Sequence, residues 1–467
     1  MMIKIYSLTF TLALFCCIAN AQSPYAHDRV YTANQVSNTV SVVDPANNTF
    51  LGEIKLGKPY PNVLNPLYKG LALVHGLRYS PQRKMLAVVG IGSNSVTLVS
   101  TETNKVLKTI YVGRSPHEPT FTNDGKQIWI TVRGEAYVSV IDVDLMKEVK
   151  RVPVADGPGM ITFTTDGKLA YVCSSFTSEV DVVNTATYAI VKRIPVVSPF
   201  SPNIFTSPDG KWIAMTHKDV GKVTVINTGT MTVTRVLTTG AITNHVTFSN
   251  VDHKLLMLAT IGGENKIRVF DVAKDFTQID TISVGALPHG LWPSADGKLM
   301  YVGLEYADQV QGIDLLTMKT MTPVQIGQSP QALVYAGNAV SNAENRENLS
   351  PLNDTATTQV LLLKSGEKGS KAIGRLAVRS IGLADLVEQI FISLKPNTSY
   401  TLALSRSETA PFAPDYEINK FETDESGKYV GQSTGLIKRL DDRSGSQVFR
   451  HVLLIDNSTR QVALMDN

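Results

Sequence analysis

Cysteine is almost absent: three occur in 467 residues, and two of them, Cys16 and Cys17, sit in the first apolar stretch. Only Cys173 lies further along. No internal disulfide is available beyond that stretch, which excludes a disulfide-stapled scaffold or a cysteine-rich zinc module. Cys173 is expected to be a small buried residue in a strand. Excess charge of one sign is also missing, since 44 Lys and Arg face 41 Asp and Glu. A net charge of +3 is too small to suggest nucleic acid as a partner. No apolar run has the ~20 residues of a membrane span, so no transmembrane anchor is expected. There is no Gly-x-Ser-x-Gly, no His-Glu-x-x-His, no phosphate loop and no Cys-x-x-Cys-His.

Residues 1–21 have the three parts of a signal peptide: Lys4, an apolar core over residues 5–18, and Ala19-Asn20-Ala21 before Gln22. They predict an exported chain, periplasmic or extracellular; separately, a monomer is expected.

The chief positive feature is a repeat. The turns Asn123-Asp124-Gly125-Lys126, Thr165-Asp166-Gly167-Lys168, Pro208-Asp209-Gly210-Lys211 and Ala295-Asp296-Gly297-Lys298 recur, with degenerate copies at Pro81–Lys84 and Val251–Lys254. Successive copies are 42 to 44 residues apart. With short alternating strands between them, this period predicts an all-β, seven-bladed β-propeller over residues 22–336. The count closes only if Gln331–Tyr335 joins the three strands that begin at Val30, hiding both sheet ends.

Val30-Tyr31-Thr32-Ala33-Asn34, then Ser37-Asn38-Thr39-Val40-Ser41-Val42-Val43-Asp44, together with Val138–Asp142 and the Asp-Gly-Lys turns, resembles the YVTN-repeat β-propellers. The resemblance covers about two thirds of the chain. It implies the fold and leaves function open. Propellers similar by this resemblance include nitrite reductases with a d-type haem in the funnel and the selenium-binding/methanethiol-oxidase family.

Residues 337–356, rich in Asn, Ser and Glu, read as a linker, and 357–467 as a small β-rich domain of sandwich type. Within it the spacing of Leu383–Ile390 suggests a short helix. The appended domain reads either as a surface for a partner or as a solubilising cap.

Seven residues before each turn aspartate stand His75, His117, Gly159, Asn203 (after a one-residue gap), His245, His289 and Gln331. Four of the eight histidines thus share one repeat position. That position begins the innermost strand, so His75, His117, Asn203, His245, His289 and Gln331 are expected around the funnel mouth as a ligand-binding ring. Imidazole suits copper, iron, zinc or nickel, and His75, His117, His245 and His289 are candidate metal ligands. They equally suit a haem-type cofactor or an anionic substrate, and plain hydrogen bonds to a neighbouring blade explain them too. The expected function is binding of a small molecule or protein at the funnel. The alternative is a periplasmic oxidoreductase that uses copper, iron or a haem-type cofactor on the same histidines. Glu118 is a candidate for orienting an imidazole. Arg133, Glu135, His217, Glu264 and Glu305 are candidate rim residues, while His27, His253 and His451 read as surface. A long insertion before His75, carrying Tyr60, Pro61, Tyr68 and Lys69, is a candidate lid.

Overall fold

The computed structural model describes residues 23–56, 72–352, 358–381, 384–434 and 449–466. The leader at 1–21 and the insertion residues Tyr60, Pro61, Tyr68 and Lys69 lie outside the described residues.

Seven antiparallel sheets form the blades of the propeller. Blade 1 joins Arg29–Asn34, Thr39–Asp44 and Thr49–Lys55 to Pro330–Ala336, with Val30 opposite Tyr335. This is the closure the repeat count demanded, and it leaves neither chain end of the ring as an open edge. The innermost strands of blades 2 to 7 are Val74–Ser80, Pro116–Phe121, Pro158–Phe163, Ile204–Thr206, Thr243–Val251 and Pro288–Pro293. In each blade the inner strands are buried almost throughout, whereas outer strands such as Val106–Tyr111 are mostly exposed. The core therefore lies between blades, where β-branched residues of one sheet pack on the next.

The Asp-Gly turns have a local cause. Gly125, Gly167, Gly210 and Gly297 hold φ between 68° and 72°, a region only glycine enters freely. A preceding Thr or Ser hydroxyl donates to the turn aspartate, as from Thr164 to Asp166 at 2.7 Å, and that carboxylate also accepts the lysine N–H. The copy at 252 differs. Asp252 and His253 both have positive φ, 46° and 63°, in a two-residue hairpin with Val251 opposite Lys254.

Residues 337–352 run along the propeller. Ala339 and Val340 are buried, the Thr101 hydroxyl donates to the Ala339 carbonyl at 2.6 Å, and Ser350 bridges to Glu53. The C-terminal domain is one sheet of eight strands, from Tyr416–Glu422 at one edge to Tyr429–Thr434 at the other. It is nearly closed, for Asn419 donates to the Tyr429 hydroxyl at 3.0 Å and Phe421 stacks on Tyr429. The helix expected at Leu383–Ile390 is instead part of the strand Ala384–Ile392, paired along its length with Ile373–Ile381. The apolar pairs Leu386-Val387 and Ile390-Phe391 flank Glu388-Gln389, a pattern that fits either period over so short a run, and the neighbouring strands decide it.

This domain docks on the rim of blades 6 and 7. Ala377 and Ile390 pack against Ile242, Leu287 and Tyr306. Arg375 donates to the Gly263 carbonyl, and Arg379 pairs with Asp308 at 2.9 Å.

Candidate functional site: a histidine mouth

Six innermost strands break register at one point. Val74 pairs with Gly90 and Leu77 with Val88, so His75 and Gly76 face a single residue. The same bulge holds His117 and Glu118, Gly159 and Met160, Asn244 and His245, and His289 and Gly290, while in blade 1 the extra residue is Gln331. A bulge re-aims side chains that the pleat would otherwise alternate. Here it takes two residues in each of five blades, and one in blade 1, out of that alternation. In blade 5, Ile204 pairs with Met215, which puts Asn203 at the second bulge position without any gap. His245 shares that second position with Asn203, because the hairpin at Asp252 shifts its blade by one residue. The residue of blade 6 equivalent to His75 is Asn244.

Threonines satisfy the backbone that the bulges leave open. Thr131 accepts from the Glu118 N–H at 3.1 Å and donates to the Gly159 carbonyl of the next blade at 2.8 Å. Thr260 does the same between the His245 N–H, at 2.9 Å, and the His289 carbonyl, also at 2.9 Å. Gly76 is required for a different reason: a Cβ there would lie 2.3 Å from the His117 carbonyl and 2.7 Å from the Glu118 carboxylate.

The four imidazoles form two contacting pairs. His75 and His117 have ring centroids 4.4 Å apart, and His245 and His289 4.7 Å. Burial holds all four well below the ordinary histidine range, His75 at about 3. Arg133 and Lys218 push His75 further down, and the rings depress one another across the mouth. At neutral pH they are uncharged.

Their hydrogen bonds assign two tautomers. His117 Nδ1 meets the Gly159 carbonyl at 2.7 Å, so Nδ1 carries the proton and Nε2 keeps a lone pair. Asn203 Oδ1 accepts from the Val246 N–H at 2.9 Å, so its amide nitrogen faces His245 Nδ1 at 3.2 Å. His245 Nδ1 therefore accepts, and its Nε2 bears hydrogen. His289 Nε2 lies 3.9 Å from Glu305 Oε2. Nδ1 of both His75 and His289 is buried without a hydrogen-bond partner.

The predicted residues divide accordingly. His75 with His117 and His245 with His289 form two ring pairs within electrostatic reach of each other, whereas Asn203 orients His245 and Gln331 donates to Ser329 at 3.0 Å. Of the rim candidates, Arg133 stands between Phe176 and Phe200 at 5.6 and 5.4 Å, and Glu305 faces His289. His217 is buried between Ser201 and Thr224 and plays a structural part. Glu264 pairs with Arg268, and Glu135 accepts from the Arg114 N–H. His253 is exposed, while His27 and His451 are partly buried beside the Val340 carbonyl and Asp466. Cys173 is buried in its strand, its thiol pushed up to about 12. Two residues escaped the repeat reading. Arg78, three positions beyond His75, approaches Glu118 at 3.6 Å. Lys218 follows the second strand of blade 5, in the electrostatic reach of His75, His245 and His289. Lys218 was findable, because it holds the post-strand position that carries Arg133 and Glu305 in other blades; Arg78, a lone cation where other blades have Thr120 and Thr162, had no such signal.

Donor atoms of His75, His117 and Glu118 all lie within 4.8 Å of one another. Ligands at ~2.1 Å from one ion are at most ~4.2 Å apart, so the trio needs roughly half an ångström of contraction to hold a metal. The carboxylate the sequence reading did not supply comes from Glu118, and it moves the donor set from four imidazoles toward two imidazoles and a carboxylate.

Residues 73–213 match the family model described as YNCE-like beta-propeller. No curated protein matches the chain. Solved structures similar to it include Kuenenia stuttgartiensis hydrazine synthase, at 20% identity and TM-score 0.53, over 58% of this chain and 92% of that one. The periplasmic gluconolactonase PpgL of Pseudomonas aeruginosa is similar at 16% identity and TM-score 0.52, over 66% of this chain and 99% of that one. The dihydro-heme d1 dehydrogenase NirN, solved in complex with DHE, is similar at 12% identity and TM-score 0.50, over 87% of this chain and 75% of that one. Together with the seven closed blades, these likenesses show a β-propeller fold.

Proposed function

We propose that this protein is an exported propeller that binds a small anionic molecule in its histidine mouth. The observation that carries this reading is the mouth's chemistry. Neutral imidazoles, one of them presenting an N–H at His245 Nε2, meet the cations Arg133 and Lys218, with Phe176 and Phe200 as an apolar flank. A desolvated anion would find hydrogen-bond donors and positive charge there, with the carboxylates of Glu118, beside His75 and His117, and Glu305, beside His289, opposing it. The leader at residues 1–21 supports export. PpgL and NirN support only the notion that such a fold serves periplasmic or small-molecule-binding proteins. Calorimetry with nitrite, sulfite, formate and oxalate is the test. At least one should bind, and His117→Ala and His289→Ala should each weaken it tenfold or more while His451→Ala does not. Equal behaviour of the three variants would defeat the reading.

The His75, His117 and Glu118 cluster favours a second function, a metal-dependent oxidoreductase. Its imidazole lone pair at His117 Nε2 and the Glu118 Oε2 atom, buried without a hydrogen bond, are the groups an Fe(II), Zn(II) or copper ion would use. Elemental analysis should then find about one metal per chain, lost in both His75→Ala and Glu118→Gln. A metal-free protein that takes up none of the three ions removes this function. A Soret band in the purified protein would replace it with the haem-type alternative.

A further inference from the structure

The channel has a second end. Beyond the bulges the innermost strands run toward the Asp-Gly turns, and there Tyr79, Thr120, Phe121, Thr162, Phe205 and Trp292 line a cavity of about 440 Å³. That is within the range of small-molecule sites. At its inner end lies Arg78, roughly 10 Å along the strand from His75 and almost wholly buried. Its guanidinium stands 4.7 Å from the ring of Trp292 and 5.4 Å from that of Phe205. These two rings meet edge to face at 4.9 Å, which fixes the frame around the cation.

The donors of Arg78 are underused. Nη1 donates to the Leu77 carbonyl at 2.9 Å, and Nη2 reaches only the thioether of Met160 at 3.4 Å, a weak acceptor. The nearest carboxylate oxygen, on Glu118, is 3.6 Å away and beyond hydrogen-bond length. A guanidinium has five N–H groups in a fork that matches a carboxylate. The hydroxyls of the wall are committed elsewhere: Thr120 donates to the Ile161 carbonyl at 3.1 Å and Thr206 to that of Phe163 at 2.9 Å. Arg78 is the cation among the residues that line the cavity.

We propose that this cavity is a second binding site, separate from the histidine mouth but joined to it through Glu118, for a small organic carboxylate with a flat apolar body. The carboxylate would take the fork of Arg78, and the body would lie against Trp292, Phe205 and Tyr79.

Trp292 makes the test direct, because it is one of three tryptophans and the other two, Trp129 and Trp212, pack into blade cores. The full chain is titrated with benzoate and, separately, with neutral benzamide, followed by tryptophan fluorescence and by calorimetry. Saturable benzoate binding is expected, at least tenfold tighter than benzamide. Arg78→Met should weaken it tenfold or more. Because that variant leaves Glu118 without its cation and can misfold, Thr165→Glu is the second probe. Thr165 is an exposed residue at the cavity entrance, and a carboxylate there should repel benzoate severalfold without touching the core. His451→Ala, in the C-terminal domain, should bind benzoate like the parent. Equal binding of benzoate and benzamide, undiminished binding in Thr165→Glu, or loss in His451→Ala with retention in Arg78→Met would each overturn the proposal. No benzoate binding at millimolar concentration would overturn it as well.

Discussion

Acidifying the metal-free protein from pH 7 to pH 5 is expected to lower its unfolding free energy by several kcal/mol. The cause is the set of histidines that fold uncharged. A histidine whose folded-state pKa is depressed contributes stability that is fully present above its unfolded pKa, about 6.5. That contribution is lost as pH falls, because the unfolded chain takes up a proton the folded chain refuses. His75, at about 3, and His217, at about 4 and clamped between Ser201 and Thr224, stay neutral at pH 5. Each accounts for about 2 kcal/mol over this window. His117, His245 and His289, depressed by burial and by their neighbours, act in the same direction. Glu118 opposes them. Burial pushes its carboxyl up to about 7, so the folded chain gains a proton there first and offsets about one histidine. Urea unfolding at the two pH values in the presence of a chelator measures the balance. The loss should shrink by about 2 kcal/mol in His217→Gln if that side chain keeps its two hydrogen bonds. A midpoint unchanged between pH 7 and pH 5 would show that the mouth is wetter or more mobile than its geometry implies.

The architecture was legible because it is written in local chemistry. Asp-Gly turns need glycine at positive φ, each recurs at a fixed spacing, and the ends can close the ring in only one way. The site was legible only in part, and the reason lies in pairing. Counting back from the turn assumes every strand has the same length. Blade 6 breaks this with a two-residue hairpin and a nine-residue innermost strand, Thr243–Val251, so His245 slid one position. The bulges are invisible to a count of residues, since they depend on which residue opposes which across two strands. Without them, Glu118 would point away from its neighbour His117; with them, both turn toward His75. Arg78 was hidden for a related reason. A lone arginine in a strand reads as surface until a neighbouring blade supplies Trp292 and Phe205 to cover it. In the C-terminal domain, Leu383–Ile390 offered too few turns for its period to decide between helix and strand, and pairing with Ile373–Ile381 settled it.

Arg379→Ala is expected to be the most damaging single change outside the propeller core, at about 3–5 kcal/mol, the range for breaking a buried ion pair by removing one partner. Arg379 has no exposed surface, and its partner Asp308 is 1% exposed. Nη2 donates to Asp308 Oδ1 at 2.9 Å and to the Glu305 carbonyl at 2.5 Å, while Nη1 contacts Glu388. Without the guanidinium, Asp308 keeps the Ser329 N–H at 2.8 Å and the Thr358 hydroxyl but has no cation. The cost should therefore depend on Asp308 as much as on Arg379. Arg379→Met combined with Asp308→Asn should recover part of the loss, because the amide oxygen still accepts the Ser329 N–H and no charge is left buried at position 308. Urea unfolding of the single and double variants separates that outcome from a defect in packing, for which the double variant would be worse than either single. The pair also ties the appended domain to the histidine mouth: Arg379 holds the backbone of Glu305, whose side chain faces His289 at 3.9 Å. A weakened dock should thus loosen Glu305 and raise affinity for whatever anion the mouth binds, since a repelling carboxylate is no longer held beside His289, even under conditions where the propeller remains folded. If Arg379→Ala unfolds at the parent's urea midpoint and binds the same anion equally well, the C-terminal domain is not coupled to the mouth through this contact.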